Sequence, residues 1–439
     1  MKRILLSLAL IAGMSMTARA QQLPNVGFEN WKGSGNAGST YQSSTAGSGS
    51  TNAGLRQRPG DEPEGWMGSS INQKVINVEK QQEVLYKAGT NNNYYAKLQN
   101  SFVGVKLGLL TIGSNAPGYL TFGTPWVYAV SNISSCDGGT YGGISFGYKP
   151  DAIRGKYKKT PASKAENSYI IAYIWNGTFT SQIASTSTDD ADRLKDDVDR
   201  AILGSVSGTG VTAPSRVTES GKLIAWCNYA FKNSTTTDSD WETIEVPLNY
   251  VADNISETPT KMNVVICAGD YWTRDNIQDG TTLEVDDVEF LYYSELSSAI
   301  YDGEEVEFDG TDAVVDKVYD ESLLELYSNG HGASIETEYD EETGILVIYI
   351  MGADYYSGNH HNYNVYSIQF KKPEKPVQLG DVNKDNVITI ADVTALVNVI
   401  LGKDSENVYS RDAADVNGDK NITIADVTAL VNLILGKTN

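Results

Sequence analysis

The C-terminal part of the chain repeats itself, and the repeat constrains the fold more than any other feature: Asp381 to Lys403 returns as Asp415 to Lys437, with four differences in 23 aligned positions. In each copy, oxygen-bearing groups recur at alternate positions. The first copy offers Asp381, Asn383, Asp385, the Val387 carbonyl, Thr389 and Asp392; the second offers Asp415, Asn417, Asp419, the Asn421 carbonyl, Thr423 and Asp426. These are positions 1, 3, 5, 7, 9 and 12 of a twelve-residue cation loop. Alternate spacing turns short side chains inward as the chain curls, and a hard divalent ion such as calcium takes about six to eight oxygens. Behind each loop, apolar residues fall at i, i+3, i+4, i+7 and i+8: Val393, Leu396, Val397, Ile400 and Leu401, then Val427, Leu430, Val431, Ile434 and Leu435. That period predicts one helix per repeat, stopped by Gly402 and Gly436. A module of about 60 residues has little core, so two bound calcium ions are expected to carry part of its folding energy.

A loop followed by a single helix, duplicated, and closed by Asp rather than Glu at position twelve resembles a type I dockerin over Leu379 to Lys437. The resemblance implies an all-α module with two calcium loop-helix repeats and a cohesin-like protein partner. It also implies partner contact through loop positions ten and eleven, which are Ile390, Ala391, Ile424 and Ala425 in this chain. Near-identical repeats would let the partner bind in either of two orientations. The competing reading packs Ile390 and Ile424 into the module's own core. One departure concerns position six, where Asn386 and Lys420 replace the usual glycine. Asn tolerates a positive φ and Lys does so poorly, so the second loop is expected to bind more weakly.

At the other end, Lys2 and Arg3 precede the apolar run Ile4 to Gly13, and Ala18-Arg19-Ala20 supplies a small-x-small cleavage site. These features predict a signal peptide over residues 1–20 and a secreted or cell-surface protein, with the periplasm as the alternative. The run is too short to span a bilayer and no later stretch reaches about 18 apolar residues, so membrane insertion is not expected. A formal charge of -22 repels nucleic acid. Of three cysteines, Cys227 and Cys267 sit in apolar runs, where buried free thiols are expected and a single bridge between them is the alternative; Cys136 completes the set.

The length exceeds what one core serves, so two to four domains are expected. Between residues 21 and 295, short runs such as Tyr169 to Trp175, Leu223 to Trp226, Met262 to Ile266 and Leu283 to Tyr293 alternate with turn signals. They predict a β-sandwich or jelly roll. Thr188 is placed to cap a helix from Asp189 to Leu203 ended by Gly204. Residues Gly33 to Gly54, nearly all small or polar, predict a long mobile loop. Residues 296–372 alternate again around Asp302-Gly303 and Asp309-Gly310, which suits a small immunoglobulin-like sandwich. A proline-rich linker over 373–379 leads to the dockerin-like module at 380–439. The chain is therefore expected to be mainly β, with an α-helical tail.

Five phrases in order, Gly27 to Trp31, Pro63 to Trp66, Tyr148 to Pro150 followed by Gly155 to Lys158, Trp241 to Pro247, and Leu283 to Val288, resemble the "putative carbohydrate metabolism domain" of secreted Bacteroidetes proteins. The resemblance implies a jelly roll akin to carbohydrate-binding modules and an association with polysaccharide or oligosaccharide. Aromatic faces suit the apolar faces of pyranose rings, so Trp126, Tyr128, Trp175, Tyr271 and Trp272, which lie at run ends or beside turns, are candidate sugar contacts. The competing reading packs them into the sandwich, where Trp31 and Trp66 are also assigned. By analogy with related jelly rolls, Glu29, Asp286 and Asp287 are candidates for a third calcium.

No histidine precedes His331, which excludes Ser-His and Cys-His chemistry from the large domain. His360 and His361, adjacent on a strand, would face opposite ways and make a poor metal pair. A glycosidase needs only two carboxylates, and Glu29 with Asp287 is the pair to consider. Few carboxylates lie inside apolar runs, where a raised pKa would arise. The expectation is a non-catalytic carbohydrate-binding protein that docks through calcium-dependent repeats. The alternatives are a glycoside hydrolase or other glycan-active enzyme bearing the same tail, and a structural adhesin.

Overall fold

The computed structural model describes residues 22–33, 41–44, 54–56, 60–75, 78–128, 137–162, 164, 166–183, 194–214, 217–231, 241–355, 360–372, 377–403 and 409–437. The signal-peptide segment and Cys136 lie outside them. The chain is mainly β with a helical tail. It divides into two compact units, one of Met1–Ala313, Ser322–Glu338 and Val347–Ser367, the other of Val314–Glu321, Tyr339–Leu346 and Ile368–Asn439.

The first unit is organised by the strand Ser168–Asn176, in which successive side chains point to opposite faces. Ile170, Ala172 and Ile174 enter one apolar core, whereas Ile171, Tyr173 and Trp175 enter another. This strand sits inside a sheet whose order is Asn249–Tyr250, Lys222–Phe231, Ser168–Asn176, Lys261–Cys267, Tyr119–Thr121 and Met67–Gly68, with Ile144–Ser145 also paired to Lys261–Cys267. A second sheet runs Glu242–Pro247, Ala152–Thr160, Thr282–Leu291, Asn93–Gln99 and Leu85–Thr90. Its Leu85, Leu98, Ile153, Leu283, Val285 and Phe290 share the first core with Ile170, Ile174, Val264 and Ile266, so the two sheets face one another across it.

The opposite face of the first sheet is covered too. The short helix Asp199–Leu203, with Phe179, Val198, Trp126 and Tyr271, closes over Ile171, Tyr173, Trp175 and Val265. Burial on both faces explains why Tyr169 to Trp175 reads as a continuous apolar run rather than an alternating one. Trp66 is fully buried and donates from Nε1 to the Pro24 carbonyl at 2.9 Å, whereas Trp31 packs partly buried against the same core.

Two expectations change and one is met. The helix begins at Asp199, not Asp189, because Leu194–Asp196 pairs as a strand with Phe179–Gln182; residues 184–193 lie outside the described ones. Within the segment expected to be a mobile loop, Tyr41–Ser44 forms a strand that pairs parallel with Thr124–Tyr128 and antiparallel with Gly54–Arg56. Backbone pairing needs no apolar side chain, so composition hid it. Cys227 and Cys267 are buried free thiols, and burial pushes the Cys227 thiol up to about 12.

Within the same unit, Asp151 is nearly buried and accepts from both the His331 backbone N–H (2.8 Å) and, at 2.7 Å, pairs with His331 Nδ1. The His331 ring stacks on Tyr250 at 3.7 Å. Asn362 donates to the Tyr292 carbonyl at 2.8 Å, which ties Val347–Ser367 to the sandwich in the same way.

In the second unit, Tyr319 packs against Tyr339 and Phe370, with ring centroids 4.2 and 5.1 Å away. The tail forms helices Ile390–Ile400, Arg411–Ala414 and Ile424–Ile434 around a buried core of Val382, Leu396, Ala414 and Leu430. The middle helix, capped by Ser410, has only four residues and no periodicity from which to read it. No helix among the described residues is long and apolar enough to cross a membrane.

Candidate metal centre

Each loop is shaped by its own carboxylates accepting backbone N–H groups. Asp381 accepts from Asp385 and Asn386 (both 3.0 Å), and Asp385 accepts from Val387 at 2.9 Å. Asp392, fully buried at the start of the helix, accepts from Asn383 at 3.1 Å with Oδ1 and from Thr389 at 2.8 Å with Oδ2. The second loop repeats the arrangement: Asp415 accepts from Asp419 (3.0 Å) and Lys420 (2.7 Å), Asp419 from Asn421 (2.8 Å), and Asp426 from Asn417 (3.1 Å) and Thr423 (2.8 Å).

These bonds leave each carboxylate with unused lone pairs and hold the groups together. In the first loop, oxygens of Asp381, Asp385 and Asp392 lie within 4.8 Å of one another, two of the three residues being buried. Three like charges at that separation repel unless a cation joins them. The all-oxygen set suits a hard divalent ion, and Asn383, the Val387 carbonyl and Thr389 are the remaining donors the spacing supplies. The equivalent set in the second loop is Asp415, Asn417, Asp419, the Asn421 carbonyl, Thr423 and Asp426.

Two features escaped the sequence reading. Thr389 and Thr423 are helix N-caps whose hydroxyls accept from Ala391 and Ala425 at 3.2 Å, with Asp392 and Asp426 completing capping boxes. The signal was present as Thr-x-x-Asp ahead of an apolar run. The second feature is a left-handed residue in each loop at position four as well as six: Lys384 (φ 62°) and Asn386 (φ 66°), then Gly418 (φ 76°) and Lys420 (φ 67°). Each loop thus holds one lysine in a conformation that favours glycine. Lys420 alone therefore gives no reason for the second loop to be the weaker one.

The duplicated loop-helix geometry and the family comparison coincide. Residues 379–435 match the dockerin type I domain. Type I dockerins bind calcium and dock to cohesins. No curated protein matches the chain. Two solved structures resemble it weakly. One, named a "putative glycoside hydrolase" from Bacteroides vulgatus ATCC 8482, is 16% identical with a TM-score of 0.29, covering 47% of this chain and 77% of that one. The other, with the same name, from Bacteroides thetaiotaomicron VPI-5482, is 14% identical with a TM-score of 0.27, covering 49% and 59%.

In the dockerin, Ile390 and Ile424 are each 71% exposed, and Ala391 and Ala425 are exposed beside them. Each isoleucine opens its helix, and neither packs into the module's core.

The aromatic residues proposed as sugar contacts are placed differently. Trp175 is 0% exposed, Trp126 2% and Tyr271 7%. A ring without a solvent-facing side offers no platform to a sugar, so these three are corrected to core residues. Their burial follows from the covered outer face of the first sheet, where Asp197 accepts from Trp175 Nε1 at 3.1 Å and pairs with Lys261 at 2.6 Å, and Asp199 accepts from the Tyr271 hydroxyl at 2.6 Å. Burial pushes the Asp199 carboxyl above its usual range, Arg200 opposing. Trp272 is half-buried and donates to Asn228 at 3.0 Å. Tyr128 ends the strand Thr124–Tyr128, and its side chain lies outside the described set.

Glu29, Asp286 and Asp287 are neighbours, but their oxygens are not among those that converge within 4.8 Å. Asp287 pairs with Lys156 at 2.7 Å and Glu29 accepts the Tyr94 N–H at 3.2 Å. The cluster thus already contains a cation of its own, Lys156. Burial, reinforced by the charges of Asp287 and Glu29, pushes Asp286 up to about 6. His360 and His361 occupy a turn rather than a strand.

Proposed function

We propose that the chain is an extracellular, carbohydrate-associated binding protein that attaches through its dockerin to a cohesin-like partner. The layout is a signal peptide over 1–20, a glycan-associated jelly roll over 21–295, an immunoglobulin-like spacer over 296–372, a linker over 373–379 and the dockerin over 380–439. One observation carries the docking role: two loops of matching hydrogen-bond geometry, each delivering an exposed isoleucine at the first turn of its helix. Two calcium ions, held by the six donors of each loop, would fix those helices, and Ile390, Ala391, Ile424 and Ala425 would form the contact face. Dockerin-bearing proteins are typically extracellular, which suits the signal-peptide reading. The glycan role is supported by the five ordered phrases of the first unit and by its two-sheet sandwich.

The test uses the full chain from Gln21 on a panel of cohesin modules in calcium and in chelator. Calcium-dependent capture is expected, without release of reducing ends when soluble polysaccharides are added. Equal capture in chelator would end the docking role, and polysaccharide hydrolysis would replace the binding role with an enzymatic one.

A further inference from the structure

One of the positions at which the two repeats differ is loop position four, where Gly418 stands in place of Lys384. The exchange makes Asn417 the first member of an Asn-Gly pair, one of three in the chain beside Asn176-Gly177 and Asn329-Gly330. In such a pair the glycine amide nitrogen can attack the asparagine carboxamide, because no side chain on the glycine crowds the five-membered ring that forms.

The three pairs are held differently. Asn176 donates to Glu257 at 3.1 Å, and Asn329 donates to the Glu295 carboxylate at 3.0 Å while accepting the Glu295 N–H at 2.9 Å. An added Cβ would meet the Ser220 carbonyl at 2.4 Å from Gly177 and the Tyr293 carbonyl at 2.1 Å from Gly330, so backbone crowds both sites. Asn417 and Gly418 are exposed instead, and nothing lies within 4 Å of the same point on Gly418. Among the described residues, the Asn417 carboxamide bonds only within its own loop, accepting the Asp419 N–H and donating to the Asp419 carboxylate, both at 2.9 Å. The attacking nitrogen is loosely held as well, since the Gly418 N–H reaches the Asp415 carbonyl at 3.3 Å.

We propose that Asn417 is a site of spontaneous, calcium-gated deamidation that disables the second cation loop while sparing the first. A base takes the Gly418 N–H proton, the nitrogen bonds to Asn417 Cγ, and Nδ2 leaves as ammonia. Water then opens the cyclic imide. Cleavage of the bond from nitrogen to Cγ leaves aspartate at 417, and cleavage of the bond from nitrogen to the Asn417 carbonyl carbon leaves isoaspartate. Aspartate keeps an oxygen at position three. Isoaspartate lengthens the main chain by one carbon between positions three and four, which puts every later donor of the loop out of step with Asp415. An ion bound to the Asn417 oxygen would hold the carboxamide in place, so the reaction belongs to the ion-free fraction. In the first loop Asn383 precedes Lys384, whose side chain crowds the ring. The proposal rests on the calcium-loop reading of the tail.

Incubation of the full chain in mildly alkaline buffer, with chelator or with calcium, tests it by peptide mass mapping and methyltransferase labelling of isoaspartate. In chelator, Asn417 should convert several-fold faster than Asn176, Asn329 and Asn383. Calcium at about ten times its Kd should slow that conversion roughly tenfold, in proportion to the ion-free fraction. Titration calorimetry of the aged chain should show the second ion lost in proportion to isoaspartate content. Gly418→Lys, which copies a lysine the first repeat already holds at a similar φ, should abolish the modification. Conversion of Asn417 no faster than that of the other three, or undiminished in Gly418→Lys, would overturn the site. Equal rates in calcium and chelator would overturn the gating, and full calcium occupancy of the isoaspartate form would overturn the effect on the second loop. A fresh chain that binds no calcium would overturn the calcium-loop reading and the gating with it, while the mass map would still decide whether Asn417 is modified.

Discussion

Asp392 accepts the backbone N–H of Asn383 at 3.1 Å, nine residues earlier, while its other oxygen accepts that of Thr389 at 2.8 Å. One fully buried carboxylate therefore closes the cation loop onto the first turn of the helix, and Asp426 does the same in the second repeat.

Asp392→Asn keeps an acceptor oxygen but loses the charge. Calcium affinity of the first loop should fall at least tenfold, and titration calorimetry should show one tight ion instead of two. Asp392→Ala should also cost about 1 kcal/mol through loss of the cap, read as faster amide hydrogen exchange across Ile390–Ile400 with calcium present.

Lys384 and Lys420 occupy left-handed backbone at about +60°. A left-handed side-chain residue costs roughly 1–2 kcal/mol, partly offset by the unfolded-state freedom of glycine. Lys384→Gly and Lys420→Gly should each tighten calcium binding about threefold to fivefold, and by similar amounts. A benefit confined to Lys420→Gly, measured by competition with a chelating dye, would restore the weaker second loop.

Ile390 and Ile424 contribute little to the folded tail because they are mostly exposed. Ile390→Asp with Ile424→Asp should leave calcium affinity and the melting temperature nearly unchanged while abolishing cohesin capture. Either substitution alone should leave capture largely intact in a surface binding assay, because the other repeat still presents its isoleucine.

Asp286 is held near a pKa of about 6, chiefly by burial and then by Asp287. Its folded value exceeds the unfolded one, so the folded state holds the proton more tightly and stability falls as pH rises from about 4 to about 6. Asp286→Asn should remove that slope and raise the urea midpoint at pH 7. An unchanged slope in urea titrations across that window would show that other groups set it.

The cation loops were legible because ligation demands oxygen at fixed spacing, and that demand is written directly in residue identity. The exposure of Ile390 was not, since a first-turn isoleucine suits a core as well as a contact face. Trp175 and Tyr271 were misread for a different reason. A sheet covered on one face exposes the aromatic residues of the other, but here the second sheet covers one face and the short helix Asp199–Leu203, with Phe179 and Trp126, covers the other; a helix ending at Leu203 was expected, its packing onto this face was not. The strand Tyr41–Ser44 shows the same limit, because backbone pairing leaves no mark in composition.

Among the described residues, the buried core of the dockerin is the small cluster of Val382, Leu396, Ala414 and Leu430. So small an interior stores little free energy of its own, and the lifetime of attachment should track the ionic composition of the surroundings. Wherever calcium is scarce the tail would let go, and wherever it returns the same molecule could be recaptured without any change to the sandwich.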